Sequence, residues 1–265
     1  MKTTLHFIFH QGQILLEHLA DGTTAIPTSL PHPLEWESEP MTVSAGPTAT
    51  EGESVVAGET LTDALPSDAY EWIGLRQSYY HLSPSLYQTA GKCSELLFWS
   101  RNNRFCGRCG HPMVFASPIS KRCSHCGREI WPSPAPAVIV LIHRGDEVLL
   151  VHARNFRGKF FGLVAGFVET GESLEEAVVR EVREETGLRI HHLRYFGSQP
   201  WPYPFGIMMG YHADYLDGQV KLQEEELEAG RWFSRDHLPT IPEKLSIARK
   251  LIDAWLEGEK DNGMK

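Results

Sequence analysis

Two short cysteine clusters, CGRCG at 106–110 and CSHCG at 123–127, hold four of the chain's five cysteines: Cys106, Cys109, Cys123 and Cys126. Each pair has C-x2-C spacing, and thirteen residues separate the pairs. A glycine-containing turn in each can aim two thiolates at one ion, and two such turns complete a tetrahedral Zn²⁺ site. Two disulfides are the alternative, but they need an oxidising compartment that nothing in the sequence suggests. Four thiolates leave no open coordination position, so zinc here is expected to be structural, with His111 and His125 as bystanders. Cys93, the fifth cysteine, falls in register with Leu86, Ala90 and Leu97 and reads as a core residue of a helix over about 83–100.

The basic residues concentrate around this module. Residues 101–131 carry Arg101, Arg104, Arg108, Lys121, Arg122 and Arg128 against one acid, Glu129, a net of +5. The whole chain is −9, so the remainder is −14, which argues against a general nucleic-acid-coating role. The expectation is that Lys121, Arg122 and Arg128 could meet phosphates of a nucleic acid, or only balance the acidic body.

Three parts follow in order. Residues 1–100 open with strand-like alternation, LHFIFHQGQILLEHL, around a Gln11-Gly12 turn, pass through a loop-rich stretch at 21–67 and close with the helix. Residues 101–132 are the four-cysteine zinc ribbon. In WPSPAPAV, Pro132, Pro134 and Pro136 enforce an extended connector. Residues 133–265 then begin with two strands around Gly145-Asp146 and read as an α/β domain. No apolar run approaches the length of a membrane span. The amino-terminal residues lack the apolar core and cleavage site of a signal peptide, so a cytoplasmic protein is expected.

The third part contains a helix with an unusual face. Ser173 and Glu176 form a capping box, and Gly187 supplies a carboxy-terminal stop. At about 100° per residue, Leu174, Val178 and Val182 make an apolar stripe about 80° wide. Glu185 falls within it, Glu181 about 20° from its edge, and Glu184 on its flank. Three clustered carboxylates next to a core repel one another and resist desolvation. A divalent cation removes the difficulty, since oxygens at i, i+3 and i+4 converge on one site. The other possibility is a solvated acidic face. Arg180 can pair with Glu184 one turn away.

The stretch GFVETGESLEEAVVREVREETGL, Gly166 to Leu188, resembles the Nudix box at every fixed position: Gly166, Glu172, Arg180, Glu181, Glu184, Glu185 and Gly187, with Val182 and Leu188 at the apolar positions. The resemblance implies an α/β/α sandwich that binds Mg²⁺ or Mn²⁺ and hydrolyses a nucleoside diphosphate linked to another group. It implies metal ligation by Glu181 and Glu185, with the Ala165 carbonyl, and by Glu184 as a ligand or the group that orients water. A downstream acid often joins such a site. Of Glu224, Glu225 and Glu226, the register of LEAGRW selects Glu226.

A second stretch bears on the substrate. In SQPWPYP, Ser198 to Pro204, three prolines stiffen the chain, so Trp201 and Tyr203 are expected to be displayed at low ordering cost. Aromatic faces suit planar bases or a nicotinamide ring. The stretch resembles the SQPWPFPxS signature of the NADH pyrophosphatase branch of the Nudix family, with Tyr203 for Phe and Gly206 for Ser. This resemblance covers nearly the whole chain: a small α+β amino-terminal domain, the ribbon, the Nudix domain and the signature. It implies homodimers that split NAD(H) into AMP and a nicotinamide mononucleotide and, in some members, remove NAD caps from RNA. It places Phe167, Gln199, Pro200, Trp201, Pro202, Tyr203, Pro204 and Ala248 at the dinucleotide, with Trp131 reaching a partner subunit and Arg76 of GLRQ contacting phosphate. Two other readings stand beside it: a Nudix hydrolase of another nucleotide such as ADP-ribose, and a zinc-ribbon RNA-binding protein with a silent Nudix domain.

Overall fold

A computed structural model of the chain describes residues 3–30, 34–44, 53–156 and 158–258. The contacts divide it into two compact units, Met1–Ser133 together with Pro202–Phe205, and Pro134–Trp201 together with Gly206–Lys265.

In the first unit, β1 (Thr3–His10) and β2 (Gln13–His18) form the expected hairpin, with Gln11 and Gly12 both at positive φ in its turn. The stretch expected to be loop-rich holds more order than its composition suggested, although residues 31–33 and 45–52 of it lie outside the described residues. It contributes β3 (Thr24–Ala25), β4 (Met41–Val43) and β5 (Glu53–Glu59), and is followed by β6 (Tyr70–Gly74). Strand β5 lies parallel to β1, between β1 and β4 in the order β3-β2-β1-β5-β4, while β6 pairs with β2. Its short apolar run gained strand character from neighbours on both sides, which local pattern does not register. Helix α1 (Pro84–Asn102) starts at Ser83, whose side chain accepts the Leu86 N–H, and packs Ala90, Cys93 and Leu97 into the core with Phe7, Ile14 and Val55. Cys93 is a buried core residue, as its spacing predicts.

The ribbon in the same unit is a three-stranded antiparallel sheet: β7 (Met113–Ser117), β8 (Ser120–Cys123) and β9 (Glu129–Ile130). The second unit is built on β10 (Ala135–Arg144), β11 (Glu147–Ala153), β12 (Val164–Phe167), β13 (Arg189–Pro200), β14 (Gly206–Asp217) and β15 (Leu227–Ser234), in the order β13-β14-β10-β11-β15 with β12 paired to β10. The proline connector is shorter than expected, because Pro136 is already the second residue of β10. One face of the sheet is covered by α2 (Leu174–Thr186), which contributes Ala177, Val178 and Val182 to one core. The other is covered by α3 (Ile247–Glu257), which buries Ile247, Ala248, Leu251, Ile252 and Trp255 in a second core. Helices on both faces make this the expected α/β/α sandwich.

Candidate active site

The Nudix-box helix α2 begins as predicted. The Ser173 side chain accepts the Glu176 N–H, the Glu176 carboxylate accepts the Ser173 N–H, and Gly187 closes the helix at φ 70°. Both ends are therefore satisfied by local chemistry, and the helix phase is fixed before packing. With that phase, Glu181 is 9% exposed and Glu185 only 4%, beside the buried Val178 and Val182.

Arg180 organises the acidic face. Its guanidinium makes a two-pronged pair with Glu172, at 3.0 Å from Nε and 2.7 Å from Nη2. Nη1 donates to Glu181 at 2.9 Å and to Glu184 at 3.1 Å, and Nη2 also donates to the Phe167 carbonyl at 2.9 Å. One side chain thus ties the end of β12 and the following loop to the helix, and the expected Arg180–Glu184 pair is one of four such ties. Gly166 shows why the first position of the box tolerates no side chain: a Cβ there would occupy the space of the Glu181 carboxylate.

The electrostatics are strained. Burial pushes the Glu185 carboxyl up to about 8, and the charges of Glu181, Glu226 and Glu184 push in the same direction. Burial also raises Glu181, against the pull of Arg180. Glu226 acts on both groups, whereas Glu224 and Glu225 are not among the charges that do. The segment carrying Glu226 is anchored to the helix end, since Gln223 N–H donates to the Glu185 carbonyl and Lys221 N–H to that of Thr186. Among the described residues no three of these carboxylates bring oxygens within 4.8 Å of one another. Arg180 Nη1 bridges Glu181 and Glu184, and a cation drawing in the whole set would relieve the repulsion that remains. A set of hard carboxylate oxygen donors suits Mg²⁺ or Mn²⁺. Ala165 lies in β12, one residue before Gly166 and half-buried.

The remaining site residues divide between the two units. In the second, Phe167 ends β12 and is 66% exposed. Gln199, near the end of β13, donates from Nε2 to the Leu245 carbonyl at 2.8 Å, just before α3, and its buried Oε1 has no partner among the described residues. Ala248 is buried on the first turn of α3. Ser198, Gln199 and Pro200 are strand rather than loop. Gly206, where the signature has Ser, opens β14; a Cβ there would stand 3.2 Å from the Ala135 carbonyl.

In the first unit the expectation for Tyr203 needs correction. The ring is not displayed: it packs against the amino-terminal core, and its hydroxyl lies 2.5 Å from that of Tyr87. Tyr87 lies 116 positions away, so no local signal could have found it. Pro202, Tyr203 and Pro204 line a cavity of about 380 Å³ together with Arg76. Trp131 is exposed beside a second hollow that Trp99 and Phe205 also line.

The cysteines converge. Cys106 and Cys126 sulfurs are 3.7 Å apart, those of Cys109 and Cys123 are 3.5 Å apart, and all four lie within 4.8 Å of one another. Four thiolates each about 2.3 Å from one zinc ion would stand roughly 3.8 Å apart, so the cage fits. Backbone N–H groups of Arg108 and Cys126 point at Cys106 and Cys123 and pull their thiols down, Cys123 to about 6. That favours the thiolate a zinc ion needs at these two positions, whereas Cys109 is pushed up.

Two of the basic side chains expected to meet RNA are engaged elsewhere. Lys121 is 5% exposed; its ammonium donates to the carbonyls of Ser100 and Asn103 and lies over the Trp99 and Phe115 rings. Arg122 forks onto Glu129 at 3.2 and 2.8 Å. A charge count in sequence cannot see that a lysine's head has been turned inward. Arg104, Arg108 and Arg128 are the exposed cations of the ribbon besides the paired Arg101 and Arg122.

A capped helix that presses carboxylates into its own core face, a glycine strand giving them room and an arginine tying loop to helix make the second unit a Nudix hydrolase domain. Profiles of known families match most of the chain: the NADH pyrophosphatase-like rudimentary NUDIX domain at 3–99, the NADH pyrophosphatase zinc ribbon domain at 101–130 and the NUDIX domain at 133–256. A NAD-capped RNA hydrolase NudC of Pseudomonas aeruginosa is 39% identical over 249 residues, 92% of this chain and 89% of the relative. Its counterpart in Stutzerimonas stutzeri is 43% identical over 195 residues, 72% and 71% of the two chains. The solved NUDIX hydrolase of Nitrosomonas europaea shares the fold, with a TM-score of 0.51 at 21% identity over 58% of this chain and 90% of its own. The chain belongs to the NADH pyrophosphatase family of Nudix hydrolases, with the four-cysteine ribbon that marks it.

Proposed function

We propose that the protein hydrolyses the diphosphate bond of NAD(H), giving AMP and nicotinamide mononucleotide, and removes NAD caps from RNA 5′ ends. The observation that carries this reading is the buried Glu185 among like charges on a complete Nudix helix, in a chain whose relatives are named for the NAD cap. Glu181, Glu184, Glu185 and Glu226, with the Ala165 carbonyl, would hold Mg²⁺ or Mn²⁺. When bound, the ion neutralises diphosphate oxygens and lowers the cost of water attack. Water adds to one phosphorus, the bridging P–O bond breaks, and two phosphomonoesters leave with release of a proton.

The chain's own residues do the rest. Arg180 holds one carboxylate oxygen of Glu181 and one of Glu184. Phe167 offers an exposed face for stacking, and Gln199 on β13 is tied to the Leu245 carbonyl just before α3, the helix that carries Ala248 on its first turn. The family resemblance assigns Pro200, Trp201, Pro202, Tyr203 and Pro204 to the dinucleotide, Arg76 to phosphate and Trp131 to the site of a partner in a homodimer. One Zn²⁺ in the Cys106–Cys126 cage is structural. The domains run 1–100, 101–132 and 133–265, and the enzyme works in the cytoplasm.

Turnover of NADH, NAD⁺, ADP-ribose and NAD-capped RNA, compared with Mg²⁺ or Mn²⁺, tests the reading. NAD(H) or the capped RNA should be preferred. A clear preference for ADP-ribose would replace this substrate, and no turnover of any of them would mean a silent domain.

A further inference from the structure

A second group of metal-binding side chains sits on the sheet of the second unit, away from the Nudix helix. His191 and His192 are adjacent in β13, where strand alternation would send them to opposite faces. The ladder with β14 is irregular between His191 and Arg194, and His192 takes φ 48°, a left-handed conformation unfavourable for histidine. The irregularity turns both rings to one side, with centroids 4.0 Å apart. Asp214, on β14, faces them: its Oδ2 is 2.9 Å from His192 Nδ1, and donor atoms of His191, His192 and Asp214 all lie within 4.8 Å of one another.

The other carboxylate oxygen is braced. Asp214 Oδ1 lies 3.0 Å from His143 Nε2 and 3.2 Å from Arg194 Nη2. One oxygen is therefore fixed from behind while the other is left toward the imidazoles, the arrangement in which outer partners orient a metal-binding carboxylate. On β10, Val138 pairs with Gly166, whereas His143 is the neighbour of Asp214. At about 3.3 Å per strand residue, the cluster is roughly 16 Å along the sheet from the glycine beneath Glu181.

We propose that His191, His192 and Asp214 form a binding site for a borderline divalent cation such as Zn²⁺, distinct from both the four-cysteine cage and the Nudix carboxylates. Two imidazoles and one carboxylate select zinc, nickel or copper over Mg²⁺, which takes oxygen donors and keeps its waters. Two ligands of one tetrahedral zinc stand roughly 3.4 Å apart, so the 2.9 Å pair needs only a small opening. Three protein ligands leave one position to water, so the ion is exchangeable where the ribbon ion is locked in. Arg194 offsets the Asp214 charge, which makes the imidazoles the main source of affinity.

The test is zinc stoichiometry by equilibrium dialysis of the full chain, carried out in millimolar Mg²⁺ to keep the Nudix carboxylates engaged. The native protein should retain the ribbon zinc and take up one further equivalent. In His192→Gly, which removes one ligand and relieves the left-handed backbone without threatening the fold, uptake of the further equivalent should weaken at least tenfold. Asp214→Asn should weaken it too. Saturation of the native protein at the ribbon zinc alone, or equal uptake of a further equivalent by native and His192→Gly proteins, would overturn the proposal.

Discussion

Glu185→Gln separates the metal role of this residue from a packing role, because it removes charge and keeps shape. The Glu185 carboxyl is ordinarily at 4.5 and stands at about 8 in the folded protein. The fold therefore holds a proton there that the unfolded chain releases, and stability is fullest below 4.5 and declines as pH rises through about 8. At about 1.36 kcal/mol per pH unit the ceiling of this loss is roughly 5 kcal/mol. The like charges of Glu181, Glu226 and Glu184 contribute to this shift beside burial, so about half of that is expected to be specific to Glu185. Urea unfolding of both proteins at pH 5 and pH 8.5 reads it out, in buffer stripped of divalent cations by resin so that no chelator attacks the ribbon. The native protein should lose roughly 2–3 kcal/mol more than the variant between the two pH values. Comparing slopes cancels the burial of the glutamine amide, which is constant with pH. Adding Mg²⁺ at pH 8.5 should restore the native protein and leave the variant unchanged, and hydrolysis by the variant should be abolished. Parallel pH curves, or a variant that gains as much stability from Mg²⁺ as the native chain, would refute the assignment of Glu185 as a buried carboxylate awaiting a cation.

Gly166→Ala should lower kcat by more than a hundredfold while the domain still folds, since the new methyl group displaces the Glu181 carboxylate; steady-state kinetics beside circular dichroism decide it. Lys121→Ala should lower stability by about 1–3 kcal/mol, from the unpaired Ser100 and Asn103 carbonyls. Alanine at Arg104, Arg108 and Arg128 together should instead flatten the salt dependence of capped-RNA hydrolysis and spare free NADH, as rates on both substrates at two salt concentrations will show. Tyr203→Phe should cost about 1 kcal/mol by stranding the Tyr87 hydroxyl, measured by thermal unfolding, with turnover unchanged. Elemental analysis should find one Zn²⁺ in the cysteine cage, and its removal should lower the melting temperature before it lowers Mg²⁺-dependent turnover.

Much of this was legible in the residues because it is local. The C-x2-C pairs, the Ser173–Glu176 cap, the Gly187 stop and the spacing of Glu181, Glu184 and Glu185 operate within one turn or one loop, where backbone geometry alone decides which atoms meet. The sequence by itself therefore determined the helix, its acidic face and the cysteine cage. What only the tertiary structure decided depends on partners far along the chain. Strand β5 owes its place to β1 and β4, Tyr203 is turned into a core by Tyr87, and Lys121 is drawn inward by the carbonyls of Ser100 and Asn103. The His191, His192 and Asp214 cluster exists only because a bulge overrides strand alternation. Even the depth of the Glu185 perturbation is tertiary, since burial and the charge of Glu226, brought back by the segment after β14, raise it together. Pattern gives the direction of a side chain; desolvation and the identity of its distant neighbours decide what that side chain can do.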